Sequence, residues 1–357
     1  MAPLPLIAGI QQMGIGIPDV HKAFDWYRTT FGMDIPMFDE AAEANLMLPY
    51  TGGEPRSRHA ILALNLQSGG GMEIWQYTSR VPQPATLGIQ LGDLGLYACK
   101  IKSKDVGASY KALKKKGAAL IGGLHQTPEG KPHFFVRDPY GNVFEVVEGK
   151  GWFSKNDRYT TGGVYGALIG VSDIDRSRRF YGELLGYDQV VYDETGRFDD
   201  LAALPGGKGE YRRVLLRHSQ PRRGAFSRVL GPSELSLVQA LDRAPRRIFE
   251  DRLWGDLGFI HLCFDIAGMD EMRAKCAAFG TPFTVDSAAD RPVFDMGEAA
   301  GNFSYIEDPD GALIEFVETH KIPVLKKIGW YLNLRKRDPQ KALPDWMLKA
   351  LRFNRVK

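Results

Sequence analysis

The sequence predicts an α+β fold built from four strand-helix-strand-strand-strand units, and three observations predict it. Two stretches about 150 residues apart read almost in parallel: QMGIGIPDVHKAFDWYRTTFG at 12–32 and GALIGVSDIDRSRRFYGELLG at 166–186. A second pair does the same, GDLGLYACKIKSKDVGASYKALKKKG at 92–117 and GDLGFIHLCFDIAGMDEMRAKCAAFG at 255–280. Forty glycines punctuate the chain. Internal repeats mark duplicated structural units, and glycine at this density marks turns, helix ends and close backbone approaches.

In the first pair an alternating apolar run reaches Asp19 or Asp173, an aromatic pair follows (Trp26-Tyr27, Phe180-Tyr181), and Gly32 or Gly186 arrives thirteen residues after the Asp. That order predicts a strand, an N-capping Asp, an amphipathic helix and a glycine C-cap. These units close on GGMEIWQYTS at 70–79 and SELSLVQALD at 233–242. The second pair gives strand, helix, then Gly117 or Gly280. Asp-Pro-x-Gly turns lead into its closing strands, RDPYGNVFEVVEG at 137–149 and EDPDGALIEFVET at 307–319, because Asp and Gly supply the turn conformations.

A length of 357 residues suits two domains. Residues 1–150 hold units at 8–80 and 92–150, residues 151–320 hold units at 162–242 and 255–320, and 321–357 forms a tail. The tail carries eleven Lys/Arg against Asp338 and Asp345, a net of +9; with +3 for the whole chain, −6 remains for residues 1–320. A mildly acidic body argues against nucleic-acid binding by the protein as a whole. Cys99, Cys263 and Cys276 show no CxxC spacing, which favours reduced thiols in a cytoplasmic protein. The start, MAPLPLIAGIQQ, lacks the features of a signal peptide, and no run has the length of a membrane span.

The opening strands ending in PD or SD and the closing DPxGxxxE resemble those of the vicinal oxygen chelate superfamily. That superfamily includes glyoxalase I, methylmalonyl-CoA epimerase, extradiol and hydroxyphenylpyruvate dioxygenases, and bleomycin- and fosfomycin-resistance proteins. The resemblance spans about residues 8–320. It implies that the four modules form two cup-shaped mixed sheets, each able to hold a divalent metal through the first and last strands of its units. The first-strand slot, seven residues before the Asp, falls on Gln12 and Gly166; aligning Ile101 with Ile266 puts Leu96 and His261 in the other two. The closing strands offer Glu73, Glu145, Ser236 and Glu315.

Two pairings are open. If neighbouring units share a cup, neither cup has a complete set. If the first unit pairs with the fourth, Gln12, Glu73, His261 and Glu315 meet and match glyoxalase I type for type, while Leu96, Glu145, Gly166 and Ser236 form a second, poor site. The crosswise pairing is preferred as the simpler history. Gln11 could replace Gln12 after a one-residue slip. One imidazole and three oxygen donors suit Zn, Ni, Co, Mn or Fe(II). The resemblance makes Glu315 the leading catalytic base and Glu73 its counterpart.

The expected function is a metal-dependent lyase or isomerase that moves a proton beside a carbonyl of a small-molecule substrate. Glyoxalase I holds glutathione through an Arg and an Asn at positions that here are Gly16 and Tyr77, so the expected substrate is not glutathione-linked. Two alternatives stand: an iron dioxygenase, disfavoured because Gly166 occupies a ligand slot, and a non-catalytic small-molecule-binding protein. The six arginines of 208–228 read either as a solvated hairpin edge or as an anion or partner patch. In the tail, Val324, Ile328, Tyr331 and Leu332 share one helical face, and Trp346, Met347, Ala350 and Leu351 another. Such segments either pack on the acidic body or lie on anionic membranes. The chain is expected to be a monomer or weak dimer.

Overall fold

The computed structural model describes residues 5–154, 159–289, 294–296, 299–325 and 330–356. The first unit comprises β1 (Leu6–Gly16), α1 (Val20–Phe31), β2 (Ile35–Glu43), β3 (Ser57–Leu64) and β4 (Gly71–Tyr77). The second comprises β5 (Gly95–Ser103), α2 (Val106–Lys115), β6 (Ala119–Gln126), β7 (Pro132–Arg137) and β8 (Val143–Glu148). The third comprises β9 (Thr161–Gly170), α3 (Ile174–Leu185), β10 (Gln189–Gly196), β11 (Tyr211–Arg217), a short α4 (Ser227–Leu230) and β12 (Glu234–Ala240). The fourth comprises β13 (Gly258–Ala267), α5 (Met269–Phe279), β14 (Val285–Asp286), β15 (Phe294–Met296), β16 (Ala299–Glu307) and β17 (Leu313–Leu325).

Local chemistry sets these elements. Asp19 and Asp173 cap α1 and α3 by accepting from the backbone N–H of Lys22 and Arg176. Gly32 and Gly186 end both helices at φ +73°, a left-handed conformation that glycine adopts without strain. Helix α1 buries Val20, Ala23, Phe24, Tyr27 and Phe31, the spacing of one helical face. Val20, Phe24 and Phe31 each contribute about 1.5–3 kcal/mol relative to exposure.

The sheets are exchanged between the halves of the chain. One curled sheet runs β14-β16-β17-β13-β1-β4-β3-β2, with β15 on β16 and β18 (Trp330–Asn333) on β17; it joins the first unit to the fourth. The other runs β10-β11-β12-β9-β5-β8-β7-β6 and joins the third to the second. Each half of the sequence thus contributes one unit to each sheet. The central seams are antiparallel, β1 on β13 and β5 on β9. The helix layer runs the other way and ties neighbours in sequence. Tyr27 on α1 donates to Asp138 at 2.6 Å, and Tyr181 on α3 donates to Asp308 at 2.8 Å. Both acceptors are the Asp of a DPxG turn. Helices α1, α2, α3 and α5 share one continuous apolar core with both sheets.

Two expectations need correction. The closing-strand register equates Cys263 with Lys100, since they pair with Glu315 and Glu145, so His261 corresponds to Ala98 and not Leu96. The same register equates Ile101 with Phe264 and not with Ile266, so the count anchored on that pair is two residues out. The first tail helix is instead a hairpin: β17 continues to Leu325 and β18 pairs back on it. Tyr331 and Leu332 therefore lie on a strand, and Ile328 lies outside the described residues. The second tail helix is present as α6 (Asp345–Ala350).

Each arginine of 208–228 has a partner, some buried and some on the exposed surface. Arg212 bridges Asp175 and Asp193, buried Arg213 meets Asp200, and Arg217 holds Glu129 and Glu234. Arg222 donates to the Leu185 carbonyl, and Arg223 and Arg228 reach Gln340 and Asp345 of the tail. All three cysteines are buried and unbridged. Among the described residues no helix is long and apolar enough to cross a membrane.

Candidate metal centre

The exchanged seam brings residues from both ends of the chain to one point. Gln12 and Gly14 are two apart on β1, and therefore face the same side. Gly14 lies opposite His261 on β13 and beside Glu73 on β4, while Glu315 on β17 sits next to Cys263. The four expected ligands converge. His261 Nε2 is 3.1 Å from Glu73 Oε2 and 3.1 Å from Glu315 Oε2. Gln12 Nε2 donates to Glu73 Oε2 at 2.9 Å and to Glu315 Oε2 at 3.4 Å. Gln11, the alternative to Gln12, accepts from the Cys263 thiol instead.

The donor set fits a divalent cation. Among the described residues Glu73, His261 and Glu315 form the one group of His, Cys, Asp and Glu side chains placed to share a metal, their ligand atoms lying within 4.8 Å of one another. His261 Nε2 faces two carboxylate oxygens at 3.1 Å without an aligned hydrogen bond to either, and Gln12 Oε1 is buried with no hydrogen-bond partner among the described residues. Polar atoms buried in this way call for an occupant. Burial opposes charge on His261, but the carboxylates of Glu315 and Glu73 outweigh it and push the imidazole up to about 10. The site demands a positive charge, which a proton or a metal ion can supply.

Three positioning residues were not anticipated. A Cβ at Gly14 would lie 2.4 Å from His261 Cε1, so the absent side chain is the seat of the imidazole. Its place two residues after Gln12, on the same face, was the available signal. Trp254 stacks nearly parallel to the His261 ring, at 14° and 6.2 Å between centroids. Tyr305 Oη lies 3.4 Å from His261 Nδ1, and Tyr305 sits opposite Glu315 across the sheet. Neither has a sequence pattern of its own, because both arrive through tertiary packing.

The other sheet answers the same electrostatic demand differently. Lys100 Nζ lies 3.0 Å from Glu145 and 3.0 Å from Glu234. Glu145 also meets His133 Nδ1 at 2.8 Å, and His133 Nε2 is 3.1 Å from Asp200. Burial works against ionisation of Glu145, yet Lys100 and His133 hold its pKa well below the usual carboxylate range. Gly166 cannot carry a ligand of any kind, since a Cβ there would meet the Glu234 carbonyl oxygen at 1.7 Å. A lysine at the position equivalent to Cys263 thus supplies the positive charge in this sheet.

Known proteins agree with this architecture. Among curated protein sequences none matches. In solved structures, glyoxalase I from Zea mays is similar at a TM-score of 0.53 and 13% identity, covering 87% of this chain and 92% of that one. A putative dioxygenase from Bacillus subtilis is similar at a TM-score of 0.55 and 13% identity, covering 99% and 97%. At such identities the likeness is one of fold. The family model of the Glyoxalase/Bleomycin resistance protein/Dioxygenase superfamily matches residues 9–146 and 164–316. With both halves matched and the exchanged sheets in place, the chain belongs to the Glyoxalase/Bleomycin resistance protein/Dioxygenase superfamily.

Proposed function

We propose that the chain is a divalent-metal-dependent lyase or isomerase that moves a proton beside a carbonyl, on a substrate that is not glutathione-linked. The observation that carries this reading is the convergence of Gln12, Glu73, His261 and Glu315, with His261 Nε2 aimed between two carboxylates and Gln12 Oε1 buried and unpartnered among the described residues. One imidazole and three oxygen donors suit Zn, Ni, Co, Mn or Fe(II). A bound ion supplies Lewis-acid polarisation of a substrate oxygen. Glu315 takes the proton from the carbon beside the carbonyl, and Glu73 returns one to the neighbouring carbon. Gln12 donates to both carboxylates and so orients them. Trp254, buried over His261, keeps water from the centre.

The substrate side is aromatic. Trp75, Tyr77, Trp254 and Tyr305 belong to one buried cluster around the centre. A Cβ at Gly16 would strike the Asp256 carbonyl oxygen at 2.0 Å, and the Tyr77 hydroxyl donates to the Trp254 carbonyl. Neither position can make the charged and amide contacts that a glutathione group requires. The buried Trp254 Nε1–H, without a partner among the described residues, is a donor available to a flat, apolar substrate bearing an acceptor.

Metal analysis of protein purified without chelator tests the reading. About one ion per chain is expected, lost in His261→Ala; a full complement in that variant overturns the ligand assignment. Metal-loaded protein is then expected to exchange the proton beside the carbonyl of small hydroxy-ketones with deuterium from solvent, and Glu315→Gln to abolish exchange. Oxygen consumption by an iron-loaded form would instead support a dioxygenase. Ligand binding that persists unchanged in EDTA would point to a non-catalytic binding protein.

A further inference from the structure

The tail has two faces, and only one is used by the body. Leu343 and Leu348 are buried, and with Met347 and Leu351 they pack against Ala8, Ile35, Leu64, Val229 and Leu230. Arg355 reaches Asp34 at 3.1 Å and Arg228 reaches Asp345 at 3.0 Å, so the segment is clamped at both ends. Helix α6 and the single 3-10 turn after it, Leu351–Asn354, carry a different set outward. Trp346 is 64% exposed and Phe353 79%, with Lys349, Arg352 and Val356 exposed beside them. Trp346 and Lys349 are three apart on α6, Phe353 lies on the 3-10 turn, and Val356 follows it.

This concentration is unusual in the chain. Among the described residues the only large aromatic side chains that are exposed are Tyr331, Trp346 and Phe353, all within the tail. The same 37 residues hold a net charge of +9 against −6 for the rest. Exposed aromatics cost solubility, and the packed inner face removes any need for them in stability. Trp and Phe flanked by Lys and Arg match an anionic bilayer surface: the rings enter the headgroup boundary and the cations meet the lipid charge.

We propose that residues 331–356 form a membrane-docking surface, held rigid by the body on one side and presenting Trp346, Phe353, Lys349 and Arg352 to anionic lipid on the other. Packing and lipid contact are then two faces of one segment. The docking is peripheral, and it is independent of the metal centre.

Cosedimentation of the full chain with phosphatidylcholine vesicles, with and without phosphatidylserine, tests this. Binding is expected only with phosphatidylserine. Two double variants, Trp346→Ser/Phe353→Ser and Lys349→Glu/Arg352→Glu, are each expected to weaken it by about tenfold or more. Unaltered circular dichroism and melting, expected for exposed positions, separate lost docking from lost folding. Three results overturn the proposal: no binding to anionic vesicles, equal binding to neutral ones, or binding that survives loss of both aromatics. Duplex RNA is run in parallel. RNA binding that depends on Lys349 and Arg352, with no vesicle binding, would assign the surface to nucleic acid instead.

Discussion

The seat of His261 can be tested with a single methyl group. Gly14 has no left-handed backbone angle, so alanine is conformationally acceptable there. Its Cβ would lie 2.4 Å from His261 Cε1, 2.6 Å from Nε2 and 2.8 Å from Nδ1. Ordinary contact begins near 3.4 Å, so the ring must retreat by about 1 Å. Metal-ligand distances hold within about 0.2 Å, several times less than that displacement. Gly14→Ala should therefore weaken metal binding by about 10–100-fold, the usual cost of disturbing a ligand's support. That range corresponds to about 1.4–2.7 kcal/mol. Overpacking should lower stability by about 1–3 kcal/mol without unfolding the chain. Metal retained during titration with chelators of graded strength, together with urea unfolding, measures both effects. Gly182→Ala on α3 serves as the control, because a Cβ there meets nothing closer than 3.7 Å. A folded Gly14→Ala protein that holds metal as tightly as the parent would refute the claim that this glycine positions the ligand.

Other predictions concern the second sheet and the helix layer. Lys100→Met leaves Glu145 and Glu234 buried without their ammonium partner and should cost about 3–5 kcal/mol in urea unfolding, with metal content unchanged. Cys263→Lys places an ammonium where the second sheet already has one, and is expected to give a folded protein that binds no metal by elemental analysis. Tyr27→Phe and Tyr181→Phe each remove one donor from a buried DPxG carboxylate and should each lower stability by about 1–3 kcal/mol. Burial opposes charge on His133, but Asp200 and Glu145 raise its pKa above the ordinary 6.5. A pKa raised by folding contributes stability that is fully present below about 6.5 and is lost as pH climbs through the folded value. The unfolding free energy should therefore fall across that window, and His133→Gln should flatten the decline.

Much of this molecule is legible in its sequence, and the reason is repetition. Asp19 and Asp173, Gly32 and Gly186, and the two DPxG turns are local signals, each with a local physical cause, and each forms as read. The ligand slots follow because strand alternation fixes which residues share a face. What failed was the anchor of one count: Ile101 corresponds to Phe264 rather than Ile266, which moves the equivalent of His261 from Leu96 to Ala98. The hairpin at β17 and β18 was missed because Tyr331 and Leu332 suit a helix or a strand, and pairing with Pro323 and Ile322 decides between them. Gly14, Trp254 and Tyr305 matter through what approaches them from far along the chain, which no local pattern records.

The exchanged sheets also constrain the order in which the chain can become a protein. Strand β1 pairs with β13, so the first strand made waits for residues Gly258–Ala267 before its edge is covered. Closing so long a loop costs entropy that is repaid only by the final contacts. During synthesis the first two units emerge together, tied by Tyr27 and Asp138, while the seam edges of β1 and β5 stand open. Open edges recruit other strands. A ribosome that stalls midway releases a half-molecule ready to pair with a second copy, so translation speed and chain integrity bear on whether this protein matures or aggregates.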